Sequence, residues 1–361
     1  MKVFRYIMSL AVSGLLLACS GKVDDASLPV LTVSDAEIDL ASETEAVFTV
    51  TYDGRDVTSE SEIFTTLSSR ELQGNVFTPE RTGSVMFHAV YAGKESNVVE
   101  VTVVNSRPAV ESRYRRNICV VEFTGAWCVN CPDGYDKMKL QLSKPSMDKY
   151  RDLVHICAFH SDAEGTDTLA IDATQDVFKL FKGLAYPSFS VDLRDSDSGL
   201  LTADGIGDFL PAIVSSVEDY GAHCGVAVSS VLDQSRTKAE VTVKVTSEHT
   251  STYRVVLLVV QNGIKGYQKH SEYGELSDYT HNHVVRKVVT SYVGTFTGEK
   301  ITDDGIIEAG AEKSKSWTVD VDSRWVLENT SVYALALNAD GHVNNMNLCA
   351  LDGGDSGYDL K

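Results

Sequence analysis

Two cysteines separated by two residues follow an almost entirely apolar segment. Residues 118–123 contain one charged side chain, Glu122, as expected for a strand that is buried on both faces. Cys128 and Cys131 come after a short turn, and a helix is predicted to begin near Cys128. A helix N-terminus carries a partial positive charge that stabilises the thiolate of the first cysteine, and the spacing brings the second thiol within disulfide reach. The pair therefore predicts a redox site at a junction between a strand and a helix.

A zinc site is the alternative chemistry for two cysteines at this spacing. A second pair of ligands at suitable spacing is missing from the sequence, so the redox interpretation is preferred and no metal site is predicted. No cofactor is expected. Cys119 and Cys157 lie in apolar surroundings and are predicted to be small buried residues.

Apolar strands alternate with helical segments throughout residues 110–222. After the first strand and helix, we predict a strand at 153–159, a helix around 177–181, strands at 189–193 and 200–201, a turn at 195–199 between those two, and an amphipathic helix carrying Ile206, Phe209, Leu210, Ile213 and Val217. The order β-α-β-α-β-β-α predicts a mixed sheet covered by helices.

Three features of this region resemble the active site of thioredoxins and their periplasmic relatives. They are the strand and turn that lead to Trp127 and the two cysteines, the Tyr186-Pro187 step before a strand, and Glu122, six residues before Cys128. The resemblance implies a thioredoxin-like α/β domain. It also implies that Pro187 forms a cis peptide bond facing the dithiol, that Tyr186 offers its backbone to an extended substrate, and that Trp127 shields the cysteines.

Glu122 has two interpretations. Thioredoxins carry a buried carboxylate beneath the second cysteine, so the resemblance implies that Glu122 lies beneath Cys131. Burial there would raise its pKa and let it accept the proton of Cys131 during exchange. The alternative is a glutamate on a partly exposed strand. The sequence departs from the family at Asn130, which stands where a proline usually precedes the second cysteine, and residues at this place tune the reduction potential.

Segments rich in strand patterns lie on both sides of this region. Residues 28–105 alternate apolar and polar side chains, and Asp53-Gly54 supplies a hairpin turn, so we predict an immunoglobulin-like β-sandwich that serves as a stalk or spacer. Residues 225–352 alternate in the same way and predict a second β-sandwich. The residues after 352 are expected to be a frayed tail.

The N-terminus has the order of a bacterial lipoprotein signal. Lys2 and Arg5 precede an apolar run that is too short to span a bilayer, and the run ends at Cys19. Residues 1–18 are therefore predicted to be a signal peptide, and Cys19 is predicted to be acylated and to anchor the mature chain in a membrane. The alternative is an ordinary apolar segment with an incidental cysteine.

The charge of the chain argues against a nucleic-acid partner. The full sequence has a formal net charge of −19, and removal of Lys2 and Arg5 leaves 30 basic residues against 51 acidic ones, which is −21. A surface of this sign repels phosphate backbones, so nucleic acid is excluded as a partner.

The order of these parts resembles the outer membrane protein 28-related lipoproteins. The resemblance covers residues 119 to about 351 and includes the segment 279–286, which looks like a family signature. It implies a lipid-anchored protein of the outer membrane, on the periplasmic or cell-surface side, and says less about a reaction. His281 and His283 in this segment would lie on one face of a strand and could pair on a metal. Surface histidines are the preferred interpretation, because a third ligand is missing.

The predicted function is thiol-disulfide exchange with exported proteins that carry disulfides or thiols. Cys128 would attack a substrate disulfide, or be attacked when the site starts oxidised, and Cys131 would resolve the mixed disulfide. The alternative is a surface binding or assembly lipoprotein that uses the same fold as a scaffold, with a purely structural disulfide.

Overall fold

The computed structural model describes most of the chain. The described residues are 27–42, 45–66, 71–72, 74–79, 82–106, 112–165, 167–181, 185–194, 201–202, 209–291 and 296–361. The predicted signal peptide, Cys19 and the predicted turn at 195–199 lie outside them. Within these ranges, no helix is long and apolar enough to cross a membrane.

The first part of the chain forms two packed sheets. Its strands are β1 (Val30–Val33), β2 (Glu37–Asp39), β3 (Ala46–Tyr52), β4 (Arg55–Asp56), β5 (Glu62–Thr65), β6 (Val76–Phe77), β7 (Gly83–Tyr91), β8 (Lys94–Glu95) and β9 (Val99–Val104). One sheet has the order β1-β3-β4 with β6 beside β3, and the other has the order β2-β9-β7-β5 with β8 beside β7. Phe48 and Phe87 meet between the sheets, with ring centroids 4.6 Å apart. This part is a β-sandwich, as predicted.

Among the described residues, the central part contains four strands and three α-helices. They are β10 (Ile118–Thr124), α1 (Cys131–Leu142), β11 (Val154–His160), α2 (Ala173–Leu180), β12 (Ser188–Val191), β13 (Leu201–Thr202) and α3 (Phe209–Ser215). β10 runs parallel to β11 and antiparallel to β12, and every residue of β10 is buried. Ile118 and Val120 pack against α1 and α3 on one face, whereas Val121 and Phe123 pack against α2 on the other. Helices therefore cover both faces of β10.

The sequence pattern predicted that the first helix begins near Cys128. The helix instead begins at Cys131. The residues between the cysteines form a turn, in which the Cys131 N–H approaches the Cys128 carbonyl at 3.4 Å. Pro132 occupies the second position of α1, where the missing N–H would have had no partner in the helix. This turn delays the helix by three residues.

The last part of the chain is made almost entirely of strands. They are β14 (Cys224–Leu232), β15 (Lys238–Ser247), β16 (Ser251–Thr252), β17 (Arg254–Gln261), β18 (Ile264–His270), β19 (Gly274–His281), β20 (Val284–Val288), β21 (Glu299–Lys300), β22 (Ile306–Ile307), β23 (Glu312–Asp320), β24 (Thr330–Leu337) and β25 (Val343–Ala350). A sheet with the order β14-β15-β23 packs its valines against β17 and β24. β18 and β19 form a separate two-stranded hairpin.

One sheet runs through the central and last parts of the chain. Its order is β13-β12-β10-β11-β20-β17-β24-β25, with β21 beside β17. β20 makes the junction, because it pairs parallel to β11 at Ala158 and Val284 and antiparallel to β17. Phe123 and Phe159 share a single core with Leu258 and Leu335. The two segments that the sequence pattern treats as separate therefore share both a sheet and a core.

The C-terminal residues are ordered, so the prediction of a frayed tail is wrong. Leu360 forms a strand-like bridge with Tyr114, and the Arg115 N–H donates to the Asp359 carbonyl at 3.0 Å. The Lys361 N–H donates to the Arg113 carbonyl at 3.1 Å. The backbone just before β10 supplies these hydrogen-bond partners, which a local sequence pattern cannot reveal.

Candidate functional site at Cys128 and Cys131

Cys128 and Cys131 are joined by a disulfide bond, with their Cα atoms 5.5 Å apart. Cys128 lies in the turn after β10, where its N–H donates to the Gly125 carbonyl at 3.0 Å, and Cys131 is the first residue of α1. Cys128 is 5% exposed and Cys131 is 2% exposed. The residues between them, Val129 and Asn130, are exposed. The bond therefore lies just below the surface, at the positive end of a helix.

Trp127 and Tyr186 meet beside the disulfide loop. The Trp127 indole N–H donates to the Ser161 carbonyl at 2.7 Å, and its ring meets the Tyr186 ring edge-on, with centroids 5.3 Å apart. Tyr186 also stacks on Phe178 of α2, with ring centroids 4.4 Å apart. These contacts fix the side chains of both residues, which the resemblance to thioredoxins assigned to shielding the cysteines and to contacting the substrate.

The peptide bond between Tyr186 and Pro187 is cis, as expected from the sequence. β12 begins at the next residue, and its register places Ser188 opposite Phe123 of β10. Pro187, the residue before Ser188, therefore lies beside Thr124, where β10 ends and the disulfide loop starts.

Glu122 is 3% exposed, so the interpretation as a partly exposed strand residue is wrong. Successive residues of a strand point to opposite faces, which puts Glu122 on the same face as Ile118 and Val120, toward α1. Its carboxyl has no hydrogen-bond partner in the described part of the chain. Burial raises the pKa of this carboxyl to about 8. Glu122 is therefore largely protonated at neutral pH and is poised to exchange a proton near that pH.

A small cavity of about 30 Å³ separates Glu122 from the start of α1. Its walls come from β10, β11 and α1 of the central part and from the hairpin β18–β19 of the last part. The lining residues are Glu122, Thr124, Cys131, Pro132, Tyr135, Ala158, His160, Gln268, Tyr279, Thr280, His281 and Asn282. The structure therefore brings Glu122 and Cys131 to one polar cavity, together with side chains from the hairpin β18–β19.

His160 and Asp167 form a buried pair in the wall of this site. His160 Nδ1 and Asp167 Oδ2 are 2.7 Å apart. Burial raises the pKa of the Asp167 carboxyl, but hydrogen bonds from His160 and from two backbone N–H groups outweigh that effect, so the net pKa lies below its ordinary value. Asp167 is therefore a carboxylate that accepts the hydrogen of His160 Nδ1.

The hairpin β18–β19 is attached to the disulfide loop. The Gln268 amide group is buried and donates to the carbonyls of Gly125 and Cys128 at 3.2 and 3.0 Å. The Lys269 N–H donates to the Ala126 carbonyl at 2.7 Å. Hydrogen bonds to these carbonyls hold the loop in place and reduce the negative potential next to Cys128.

The sequence pattern did not identify Asp167 and Gln268 as site residues, and it treated His281 as a surface residue. Asp167 lies in a loop seven residues after His160, and Gln268 lies on a strand far along the chain. The one available signal was the unusual segment 279–286, which includes His281. Contacts between distant segments bring these residues to the site, and periodicity does not report such contacts.

His281 and His283 do not share a strand face, so that expectation is wrong. β19 ends at His281, and His283 lies in a turn with a φ of 58°. The His283 N–H donates to the Asn262 side chain at 2.8 Å, which helps to hold the turn. His281 is 4% exposed and lines the cavity. The described residues contain no cluster of three or more ligand side chains that could hold a metal ion.

Residues 208–352 match the family model of outer membrane protein Omp28. The matched segment contains α3, β14 to β25 and the hairpin β18–β19, and it ends before the C-terminal residues. It does not include Cys128 and Cys131. The matched family is one of outer membrane proteins.

The fold is similar to the solved structure of HBP35 of Porphyromonas gingivalis. The TM-score is 0.52 at 17% sequence identity, over 67% of this chain and 77% of that chain, and at this identity the likeness concerns the fold alone. Domains 4–9 of the surface layer protein SbsC give a TM-score of 0.18 at 9% identity, over 93% of this chain and 52% of that chain, which carries no argument. Comparison with curated protein sequences finds no significant match.

Proposed function

We propose that the protein is a thiol-disulfide oxidoreductase of the cell envelope with a thioredoxin-like central part. One observation carries the proposal: a disulfide at the start of a helix shares a cavity with a buried carboxyl that makes no hydrogen bond to the described residues. A structural disulfide transfers no proton, whereas the resolving thiol of a reacting dithiol must lose one. The proposed partners are exported proteins with disulfides or thiols.

The proposed reaction has two exchange steps. The Cys128 thiolate attacks a substrate disulfide, so that a Cys128–substrate disulfide forms and one substrate sulfur leaves as a thiolate. Cys131 then loses its proton to Glu122 and attacks Cys128 Sγ, which forms the Cys128–Cys131 disulfide and releases the second substrate sulfur. The substrate gains two electrons and the dithiol loses two. Oxidation of a substrate is the reverse of these steps.

The aromatic side chains have a role in this proposal. An extended substrate would lie along the Tyr186–Pro187 step, and Trp127 would cover the disulfide from the side of Ser161. Both rings are fixed by their neighbours, so the substrate meets a preformed surface and loses little binding energy to ordering it.

A trapped intermediate tests the proposal. Reduced protein with Cys131→Ser is expected to accumulate a stable mixed disulfide with a synthetic disulfide peptide, because the resolving thiol is gone. The matched variant Cys128→Ser should form no such adduct. Cys119 and Cys157 remain in both variants as buried internal controls. Intact-mass measurement detects the adduct, and its absence from the Cys131→Ser variant would contradict the proposal.

A binding or assembly role with a structural disulfide is the second candidate. It is favoured by the low exposure of both cysteines and by the hydrogen bonds from the hairpin to the disulfide loop. A bridge held in this way would survive mild reductant in the folded protein, and both single-cysteine variants would remain unreactive toward the peptide.

The proposed location is the outer membrane, with a lipid anchor at Cys19. The match to an outer membrane family and the lipoprotein order of residues 1–19 support it. Cys19→Ala is expected to move the protein out of the membrane fraction or to leave an unprocessed precursor. Normal processing and unchanged membrane association would rule out the anchor.

A further inference from the structure

The cavity beside Cys131 has the size and polarity of a water site. A volume of about 30 Å³ exceeds the roughly 10–15 Å³ that one water needs. A buried water also needs two to four polar partners, and Glu122, His160 and His281 all line the cavity. The Glu122 carboxyl is buried and has no protein partner among the described residues, so a water in this space is the available partner for it.

His160 lies in the cavity wall, and one of its two ring nitrogens is already hydrogen-bonded. Its Nδ1 donates to the Asp167 carboxylate, which leaves Nε2 as the nitrogen that can accept a proton. Asp167 in turn is fixed by the N–H groups of Ala126 and Leu169, at 2.7 and 2.8 Å. An imidazolium formed at His160 would therefore be neutralised by a rigidly held carboxylate.

His281 completes the wall from the hairpin β18–β19. Its Nε2 donates to the Tyr267 carbonyl at 3.1 Å, and its ring meets the His160 ring edge-on, with centroids 5.1 Å apart. The pKa of His281 is lowered to about 4, mainly by burial and to a smaller extent by the neighbouring His160. His281 is therefore neutral at neutral pH, so one positive charge can form at His160 without a second beside it.

The cavity reaches the surface along β19. Thr280 is exposed and Asn282 is half-buried, and both line the same space as Glu122 and Cys131. Water in the cavity can therefore exchange with solvent through this side. The exposed residues of the disulfide loop, Val129 and Asn130, are not part of the cavity lining. A proton can leave by this route while a substrate occupies the disulfide loop.

We propose that this cavity is the proton exit of the dithiol, in which the His160–Asp167 pair takes the proton from Glu122 through cavity water. The proposal rests on the exchange activity proposed above. When Cys131 attacks Cys128 Sγ, its proton passes to the Glu122 carboxylate, then through water to His160 Nε2, and finally to solvent past Thr280. The new disulfide forms and the bond to the substrate sulfur breaks in the same step, so electrons balance without another reactant.

Several ionisable groups surround His160. Asp167 contacts it directly and His281 meets its ring, while the other titratable groups that line the cavity are Glu122 from β10, Tyr135 from α1 and Tyr279 from β19. Arg286 of β20 interacts electrostatically with Asp167. In the proposed reaction the proton passes from Cys131 to Glu122 and on to His160, and Asp167 balances the charge on His160.

His160→Asn in the full-length protein tests the proposal. Asparagine keeps a donor near the position of Nδ1 for Asp167 but cannot accept a proton. The rate of attack by Cys131 on a Cys128 mixed disulfide is expected to fall about tenfold or more, toward the range of general-base losses. The dependence of this rate on pH should differ from that of the wild type, because the variant lacks this proton acceptor. The first attack by Cys128 should be unchanged. His155→Asn, on the same strand but outside the cavity, is the matched control.

The wild-type protein supplies a second measurement in case the variant folds poorly. Resolution of the mixed disulfide should be slower in D₂O than in H₂O, because the proton moves through water in that step. Equal rates in both solvents, or an unchanged pH profile in a folded His160→Asn variant, would overturn the proton exit. If the wild type forms no mixed disulfide at all, the proposed exchange activity is wrong. This outcome differs from a mixed disulfide that forms but resolves without the proton exit.

Discussion

Glu122→Gln is expected to slow the attack of Cys131 on a mixed disulfide by roughly a hundred- to ten-thousand-fold, the usual range for loss of a general base. Glutamine fills the same space but cannot take the proton that Cys131 must lose. The first step should keep its rate, because Cys128 is activated by the helix terminus rather than by Glu122. Stopped-flow release of a fluorescent peptide from Cys128 measures the second step, and formation of the adduct measures the first.

The same substitution should change stability in a pH-dependent way. The pKa of Glu122 is about 8 in the folded state, against an ordinary value of 4.5, so below pH 4.5 both states are protonated and burial carries no ionisation penalty. As the pH rises toward 8, the unfolded state releases the proton and the folded state keeps it, so stability is lost by about 1.4 kcal/mol per pH unit. In the wild type, the free energy of unfolding should therefore fall by about 3 kcal/mol between pH 5 and pH 7.5 because of Glu122, and Glu122→Gln should abolish this fall.

Denaturant unfolding at several pH values measures this difference, with Glu62→Gln on the exposed side of β5 as the control. The Glu122→Gln protein should be the more stable one at pH 7.5 and should differ little at pH 4. Parallel stability curves for Glu122→Gln and wild type would mean that Glu122 titrates as an ordinary surface carboxyl. Equal resolution rates would leave solvent as the proton acceptor.

Arg116→Met is expected to destabilise the protein by about 3–5 kcal/mol, the range for removing one partner of a buried ion pair. Arg116 is 3% exposed and pairs with the fully buried Asp192 at 2.5 Å. It also donates to the carbonyls of Val343 and Asn344 at the start of β25 and to that of Ser216 after α3. The substitution leaves the Asp192 carboxylate buried without its cation and removes the hydrogen bonds of Arg116 between the central and last parts of the chain.

Chemical unfolding followed by both fluorescence and circular dichroism measures the effect. Arg55→Met, which breaks the exposed pair with Glu60, should cost no more than about 1 kcal/mol. The double variant Arg116→Met with Asp192→Asn should recover part of the loss, because it removes the uncompensated charge. A loss of stability for Arg116→Met as small as that for Arg55→Met would contradict a stabilising role for the Arg116–Asp192 pair.

Local patterns were sufficient to locate the disulfide and the residues next to it. The spacing of Cys128 and Cys131, the apolar strand that carries Glu122, and the step before Pro187 are each contained within a few residues, so the sequence displays them directly. The burial of Glu122 was left open by the same pattern, because the pattern also allows a glutamate on a partly exposed strand.

Long-range pairing was beyond the reach of those patterns. Alternation along β20 indicates which side chains are buried, but it does not indicate that β20 pairs with β11 and fuses two sheets. For the same reason the hairpin β18–β19 was not expected to bring Gln268 and His281 to the disulfide loop. The turn that delays α1 to Cys131 depends on a few backbone angles, which residue types near a helix start specify only loosely.

The most direct test of the dithiol as a reacting group is its reduction potential in the folded protein. Equilibration of the purified protein with redox buffers, followed by alkylation and mass measurement, gives the fraction of Cys128–Cys131 bonds that are open. The account predicts reversible opening at roughly −120 to −270 mV, where dithiol oxidoreductases operate. A bond that stays closed below about −300 mV, and opens only when the protein unfolds, would contradict it.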